Sequence, residues 1–241
     1  MKVEAYGITD KGDMRPRNED AYGIFNEEQF YVLADGVGGH QGGEFAAKET
    51  VNHLYYNIQK IHNRLEHCFD EEIQNLLRIG ISETNQIIIK KGKKREELKG
   101  MASTFCFLFF HLGYAYYSHY GDSRIYLLRE KTLTALTKDH TLAQELEDAN
   151  QLVTSVRQKS TLTKAIGLEL PETALIEREE VLVNDQFLIC SDGVLEGLSP
   201  QEIHFYLNQN KLPRTILKEM IVGARNRGSR DNITAILVKT I

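Results

Sequence analysis

The chain has 241 residues, of which 41% are apolar and 26% charged, and its 34 acidic and 29 basic side chains leave a formal charge of −5. That balance excludes a disordered or low-complexity chain and gives no general attraction to nucleic acid or an anionic membrane. No apolar run approaches the roughly 20 residues of a bilayer span, and four prolines in all mark no linker, so one domain over residues 1–241 is expected.

The first residues, MKVEAYGITDKGD, carry no apolar signal core, and a cytoplasmic location is expected. Runs rich in aromatic and β-branched residues predict strands over 30–34, 104–110, 113–120, 124–129, 181–190 and 232–239. Helical patterns cover 43–65 and 70–90, with shorter ones over 142–149, 200–207 and 213–226. The charge run KKGKKREEL at 90–98 mixes basic residues with two glutamates and reads as a solvated loop. Residues 148–160, DANQLVTSVRQKS, lack periodicity and read as a mobile surface segment. The strands of FCFLFFHLGYAYYSHYGDSRIYLL lie too close together for helical crossovers, which favours antiparallel meanders, and the segregation of strands from helices predicts an α+β sandwich.

Three cysteines, Cys68, Cys106 and Cys190, argue against a disulfide framework or a thiolate zinc site. The segments around them also lack the nearby arginine that a cysteine-nucleophile phosphatase needs. The informative pattern is an apolar strand ending in Asp-Gly, met twice: FYVLADG with Asp35 and FLICSDG with Asp192. Each dipeptide alone is ordinary turn chemistry. With Glu19 and Asp20 in RPRNEDAYG, Asp122 in YGDSRIY and Asp231 in GSRDNIT, however, the chain places several carboxylates at strand ends, where they repel unless a cation compensates. Hard Mg²⁺ or Mn²⁺ suits such oxygen donors better than zinc does. The loop ADGVGGHQGGE fits neither phosphate-cradling template, because Gln41 stands where a dinucleotide fingerprint needs glycine and Glu44 where a Walker loop needs lysine.

Eight motifs occur in order: TDKGDMRPRNEDA, ADGVGGHQGGE, GMAST, GDSRIY, LTKDHT, LTKAIG, CSDG and GSRDNIT. In this set and order the chain resembles the metal-dependent serine/threonine protein phosphatases of the PP2C (PPM) type, particularly the compact bacterial members. The resemblance implies a four-layer α-β-β-α sandwich of two antiparallel sheets flanked by helices, with a bimetallic Mn²⁺ or Mg²⁺ centre at one end. It implies that Asp35 bridges the two ions, that Glu19 and the Gly36 carbonyl serve one side, and that Asp192 and Asp231 serve the other. Asp20 would orient water, Asp122 would help hold a weaker third ion, and Arg15 would clamp the phosphate. His40 is the candidate general acid, because it follows the bridging aspartate in the same loop.

The implied reaction is hydrolysis of phosphoserine or phosphothreonine monoesters by a hydroxide held between the two metals, without a phosphoenzyme. Implied partners are phosphorylated proteins and a cognate serine/threonine kinase, with no nucleic acid and no membrane, and a monomer is expected. The competing readings are a catalytically silent phosphoprotein-binding regulator and a two-metal hydrolase of small phosphoesters. Two features depart from the family pattern: Ala102, Ser103 and Thr104 replace the usual Gly-Thr-Thr, and the flap segment at about 141–161 looks short.

Overall fold

A computed structural model describes residues 2–37, 42–62, 64–65 and 68–241. Within them the strand-forming runs build two antiparallel sheets, numbered here in chain order. One orders β1 (Val3–Asp10), β11 (Ile233–Thr240), β10 (Gln186–Cys190), β7 (Arg124–Arg129) and β8 (Thr132–Ala135). The other orders β2 (Asp20–Phe25), β3 (Phe30–Val37), β5 (Phe105–His111), β6 (Tyr114–Tyr120) and β9 (Glu177–Glu180), and the short β4 (Ala102–Ser103) pairs with the end of β3.

Period-two alternation divides each central strand between two faces. In β3, Phe30, Val32 and Ala34 pack beneath α1 (Gly42–His62) and α2 (Asp70–Lys94), while Tyr31 and Leu33 meet the opposite sheet. In β10, Phe187 and Ile189 point between the sheets. Leu188 and Cys190 pack instead on the side of α5 (Asp192–Gly197), α6 (Pro200–Leu207) and α7 (Pro213–Asn226). The result is the four-layer α-β-β-α sandwich that the resemblance implies, and central strands apolar on both faces are its direct consequence.

The layer between the sheets changes character along its length. Its middle is apolar, built from Leu33, Leu108, Ile125, Phe187 and Ile236 among others. Toward one end the same strand parity brings Asp20, Asp35, Thr104, Ser123, Ser191 and Thr234 onto that face. At the other end Arg129 of β7 donates to Asp185 at 3.0 and 2.8 Å and to Glu179 of β9 at 2.7 Å, tying the two sheets together.

Several elements differ from the sequence reading. Only the second half of the predicted strand over 181–190 is a strand: β10 starts at Gln186, residues 181–185 form the turn before it, and β9 of the other sheet has already ended before Val181. Asn184 at φ 70° turns the chain between them, and the Asp185 carboxylate accepts from the Leu182 N–H at 2.8 Å. The charge run at 90–98 is no simple loop, since α2 continues to Lys94, a 3₁₀ turn spans Glu96–Leu98, and Leu98 is buried. Strands β1, β2, β8 and β9 carry polar or charged residues on part-exposed faces, so hydropathy did not mark them. The flap comprises α3 (Leu142–Asp148), an extended stretch, and α4 (Val156–Ser160), which starts with a Ser155–Gln158 capping box. A Thr141–Leu162 bridge closes its base. None of the described helices is long and apolar enough to cross a membrane.

Phe187 is fully buried between the sheets and meets Phe110 edge-on at 5.3 Å between ring centroids. Phe187→Ala is expected to cost about 3–5 kcal/mol, read as a lower urea midpoint at unchanged slope.

Candidate metal centre

The ladder between β2 and β3 sets Asp20 directly opposite Asp35. Asp35 is then fixed from its other side: its N–H donates to Thr104 Oγ1 at 2.9 Å, and its carbonyl accepts from the Thr104 N–H at 2.8 Å and from Ser103 Oγ at 3.0 Å. Thr104 Oγ1 also lies 2.9 Å from Ser123 Oγ. Ala102 and Ser103 therefore keep the β4 pairing to Val37 and Gly36, and the departure from the family's Gly-Thr-Thr leaves this support in place. From the other sheet, Asp192 arrives as the first residue of α5, just past β10, and Asp231 lies two residues before β11.

One glycine contact brings the remaining predicted donors together. A Cβ on Gly43 would fall 2.6 Å from Glu19 Oε2 and 2.9 Å from the Gly36 carbonyl oxygen. Both oxygens thus crowd the start of α1, and no larger residue fits there. Asp122 sits in the β6–β7 turn behind Gly121, which adopts φ 97°.

These acids disfavour their own ionisation. Burial, then the charges of Asp20, Asp192, Asp122 and Asp231, hold Asp35 well above the usual carboxylate range. Burial with Asp122, Asp231 and Asp20 pushes Asp192 to about 8. Burial raises Asp20 to about 6 against hydrogen bonds from Thr234 and Ser191, and burial with Asp139 raises Asp122 to about 6. Burial also raises Glu19, against the nearby charge of Arg15. Asp20 Oδ1 and Asp192 Oδ1 are buried with no hydrogen-bond donor, a costly state for a carboxylate. An all-oxygen donor set with orphaned buried carboxylate oxygens fits hard divalent cations. Among the described residues, no three His, Cys, Asp or Glu side chains already close on one ion position, and Asp231 is turned toward the half-exposed guanidinium of Arg15.

Arg15 joins the site through that contact, and the Asp231, Asp192 and Asp35 charges favour its protonated form against desolvation. The structure thus gathers Arg15, Glu19, Asp20, Asp35, Gly36, Asp122, Asp192 and Asp231 at one end of the sandwich. His40 lies outside the described residues. His140 is not in the cluster: its ring stacks on His119 at 4.3 Å between centroids, and burial lowers its pKa to about 3.

The sequence reading gave no role to the residues that hold these groups in place. Asn232 uses its whole amide: Oδ1 accepts from the Glu19 N–H at 2.8 Å, and Nδ2 donates to the Lys11 and Arg17 carbonyls at 2.8 and 2.9 Å. It thereby pins the loop that carries Arg15 and Glu19 against the Asp231 segment. Ser191 Oγ donates to Asp20 Oδ2 at 3.0 Å and accepts from the Thr234 N–H at 3.0 Å, linking the two sheets. Arg124 grips Asp139 with two bonds of 2.6 and 2.8 Å, which explains why the GDSR and KDH motifs occur together.

The chain matches the family model described as protein phosphatase 2C over residues 15–237. It is 31% identical over 242 residues to the serine/threonine phosphatase stp of Listeria welshimeri, covering 96% of this chain and 93% of that one. A solved serine/threonine phosphatase of S. agalactiae superposes with a TM-score of 0.91 at 30% identity, with 100% of both chains covered. The catalytic domain of the serine/threonine protein phosphatase PstP, solved in complex with 2 manganese ions, gives 0.82 at 26% identity over 98% of this chain and 97% of that one. With its sandwich and its acid cluster in place, this chain belongs to the protein phosphatase 2C family.

Two outcomes test this site. A raised carboxyl pKa means that the folded chain holds a proton more tightly than the unfolded chain does. In EDTA, the contribution of these acids to stability is therefore full below about pH 4 and is lost as pH rises through about 6 for Asp20 and Asp122 and about 8 for Asp192. Thermal unfolding should show Tm falling from pH 5.5 to 8.5, and Mn²⁺ raising Tm more at the higher pH. A metal effect larger at pH 5.5 would contradict the cluster. Asn232→Ala should cost about 1–3 kcal/mol in urea unfolding, because it strands one buried donor and two acceptors.

Proposed function

We propose that this chain hydrolyses phosphoserine and phosphothreonine monoesters on proteins in a divalent-metal-dependent reaction, with Mn²⁺ or Mg²⁺ as the ion. The observation that carries the reading is the pair of buried, donorless carboxylate oxygens, Asp20 Oδ1 and Asp192 Oδ1, within an acid cluster edged by one half-exposed arginine. Asp35, Glu19, the Gly36 carbonyl, Asp192 and Asp231 would hold two ions, and Asp122 a weaker third. When bound, the ions supply positive charge against the phosphate and lower the pKa of water into the neutral range.

The chain's own residues do the rest. Arg15 carries a planar fork that matches two phosphate oxygens, and its exposure leaves it free to turn from Asp231 to a substrate. Asp20 is held at one oxygen by Ser191, and its other oxygen accepts a hydrogen bond from the attacking water and orients it. Ser103, Thr104 and Asn232 fix the backbones that carry Asp35 and Glu19, so little reorganisation accompanies reaction. His40 supplies the proton to the departing serine or threonine oxygen. One catalytic domain, acting as a monomer on phosphoproteins made by a serine/threonine kinase, accounts for the whole chain.

Phosphate release from a phosphothreonine peptide tests the proposal. Release should require Mn²⁺, stop in EDTA, and fall at least about 100-fold in Asp192→Asn with the fold intact. Arg15→Ala should lower kcat/KM by about 10–100-fold, mostly through KM, as loss of a charge-assisted pair predicts. Full activity of Asp192→Asn would refute the assignment. His40→Ala should lose more activity on phosphoserine than on an activated aryl phosphate, whose leaving group needs no proton; equal losses would remove His40 from the acid role.

A further inference from the structure

Two more arginines, Arg17 and Arg230, border the acid cluster, and the chemistry above uses neither. Arg17 follows Arg15 by two residues, and its carbonyl is held by Asn232 Nδ2 at 2.9 Å. Arg230 immediately precedes Asp231, and its N–H donates to Glu196 at 2.6 Å. Both backbones are thus fixed to the wall of the site, while both residues remain exposed. Their neighbours are neutralised: Arg225 pairs with Asp10 and Asp13, and Arg227 with Glu202. Among the described residues, neither the Arg17 nor the Arg230 guanidinium forms a side-chain ion pair, although the chain carries 34 acidic side chains against 29 basic ones. Two exposed guanidinium groups outside any ion pair, on backbones fixed to the wall of the site, therefore stand near the phosphate-binding arginine in an acidic protein.

Their spacing relates them to a bound peptide. The chain advances at most about 3.6 Å per residue, so the Arg17 Cα lies within about 7 Å of the Arg15 Cα. Arg230 is one peptide unit, about 3.8 Å, from Asp231, the residue that Arg15 contacts. A substrate strand rises about 3.3 Å per residue, so with its phosphate on Arg15 its next few side chains fall within reach of these two long cations. Guanidinium forks match carboxylates and phosphates alike.

We infer that Arg17 and Arg230 form a subsite for an anionic side chain, a carboxylate or a second phosphate, within about three residues of the phosphorylated serine or threonine. The inference rests on the phosphatase reading and names the substrate class that the site prefers.

The test compares kcat/KM, in Mn²⁺ and at low salt, for phosphothreonine peptides flanked by glutamates, by a non-hydrolysable phosphonate mimic of phosphoserine, by alanines or by lysines. Exposed ion pairs are individually weak, so an anionic flank should be preferred over the alanine flank by about five-fold, and added salt should shrink that ratio. Whichever anionic flank is preferred supports the subsite and identifies the group that it reads. In the Arg17→Ala/Arg230→Ala double variant the ratio should fall to about one, and Arg17→Glu/Arg230→Glu should reverse it toward the lysine peptide. A ratio taken within each variant cancels any general loss of activity or folding. Equal kcat/KM for all flanks in the wild-type enzyme, or a preference that survives the double variant, overturns the subsite and leaves the phosphatase intact. No release from any phosphopeptide overturns the phosphatase reading, and the subsite falls with it.

Discussion

Everything at the working end of this molecule depends on one unfavourable Coulomb arrangement: Asp20, Asp35 and Asp192 are brought together out of water, with Asp122 and Asp231 close enough to add their charge. Carboxylates on loose loops would relieve such repulsion by moving apart. Here they cannot, because β2–β3 pairing sets Asp20 opposite Asp35, Asp192 lies two residues past the end of a central strand, and Asp231 two residues before the start of another. The ladders pass through the apolar inter-sheet core, whose burial offsets the repulsion at its end. The acids therefore stay short of partners until a proton or a cation arrives, which is the property a metal-dependent phosphatase needs.

A small set of polar residues turns that cluster into an ordered site. Asn232 ties the Arg15–Glu19 loop to one sheet, Ser191 ties Asp20 across to the other, and Ser103 with Thr104 brackets Asp35. Each is buried and hydrogen-bonded, so each stiffens the site without adding charge. The cations stay on the rim, where Arg15 faces the acids and Arg17 and Arg230 face solvent. Negative charge inside attracts cations, and positive charge on the rim attracts anionic groups.

Legibility in the sequence followed burial. Strands β3, β5, β6, β7 and β11 are apolar on both faces and stood out at once. Strand β9, EREE, is a charged, mostly exposed edge with no hydropathy pattern. The run over 181–190 carries apolar residues on both sides of Asn184 and Asp185, and the turn that separates them is held by the Asp185 carboxylate, which the apolar pattern does not mark. Among functional groups, the acids were visible because Asp-Gly after an apolar run is an unusual ending to repeat. Asn232 and Ser191 lie within motifs, but a role made of side-chain hydrogen bonds to residues more than 150 positions away leaves no local pattern.

By itself the sequence determined the class of fold, through strand parity and the segregation of helices, and the identity of the clustered acids and of the arginine beside them, through motifs whose residue types carry the chemistry. Only the tertiary structure decided which charges share one desolvated volume, which carboxylate oxygens lack donors, and which arginines form ion pairs. Those properties arise from through-space distances between two sheets, and Coulomb and desolvation energies depend on distance and burial, not on separation along the chain.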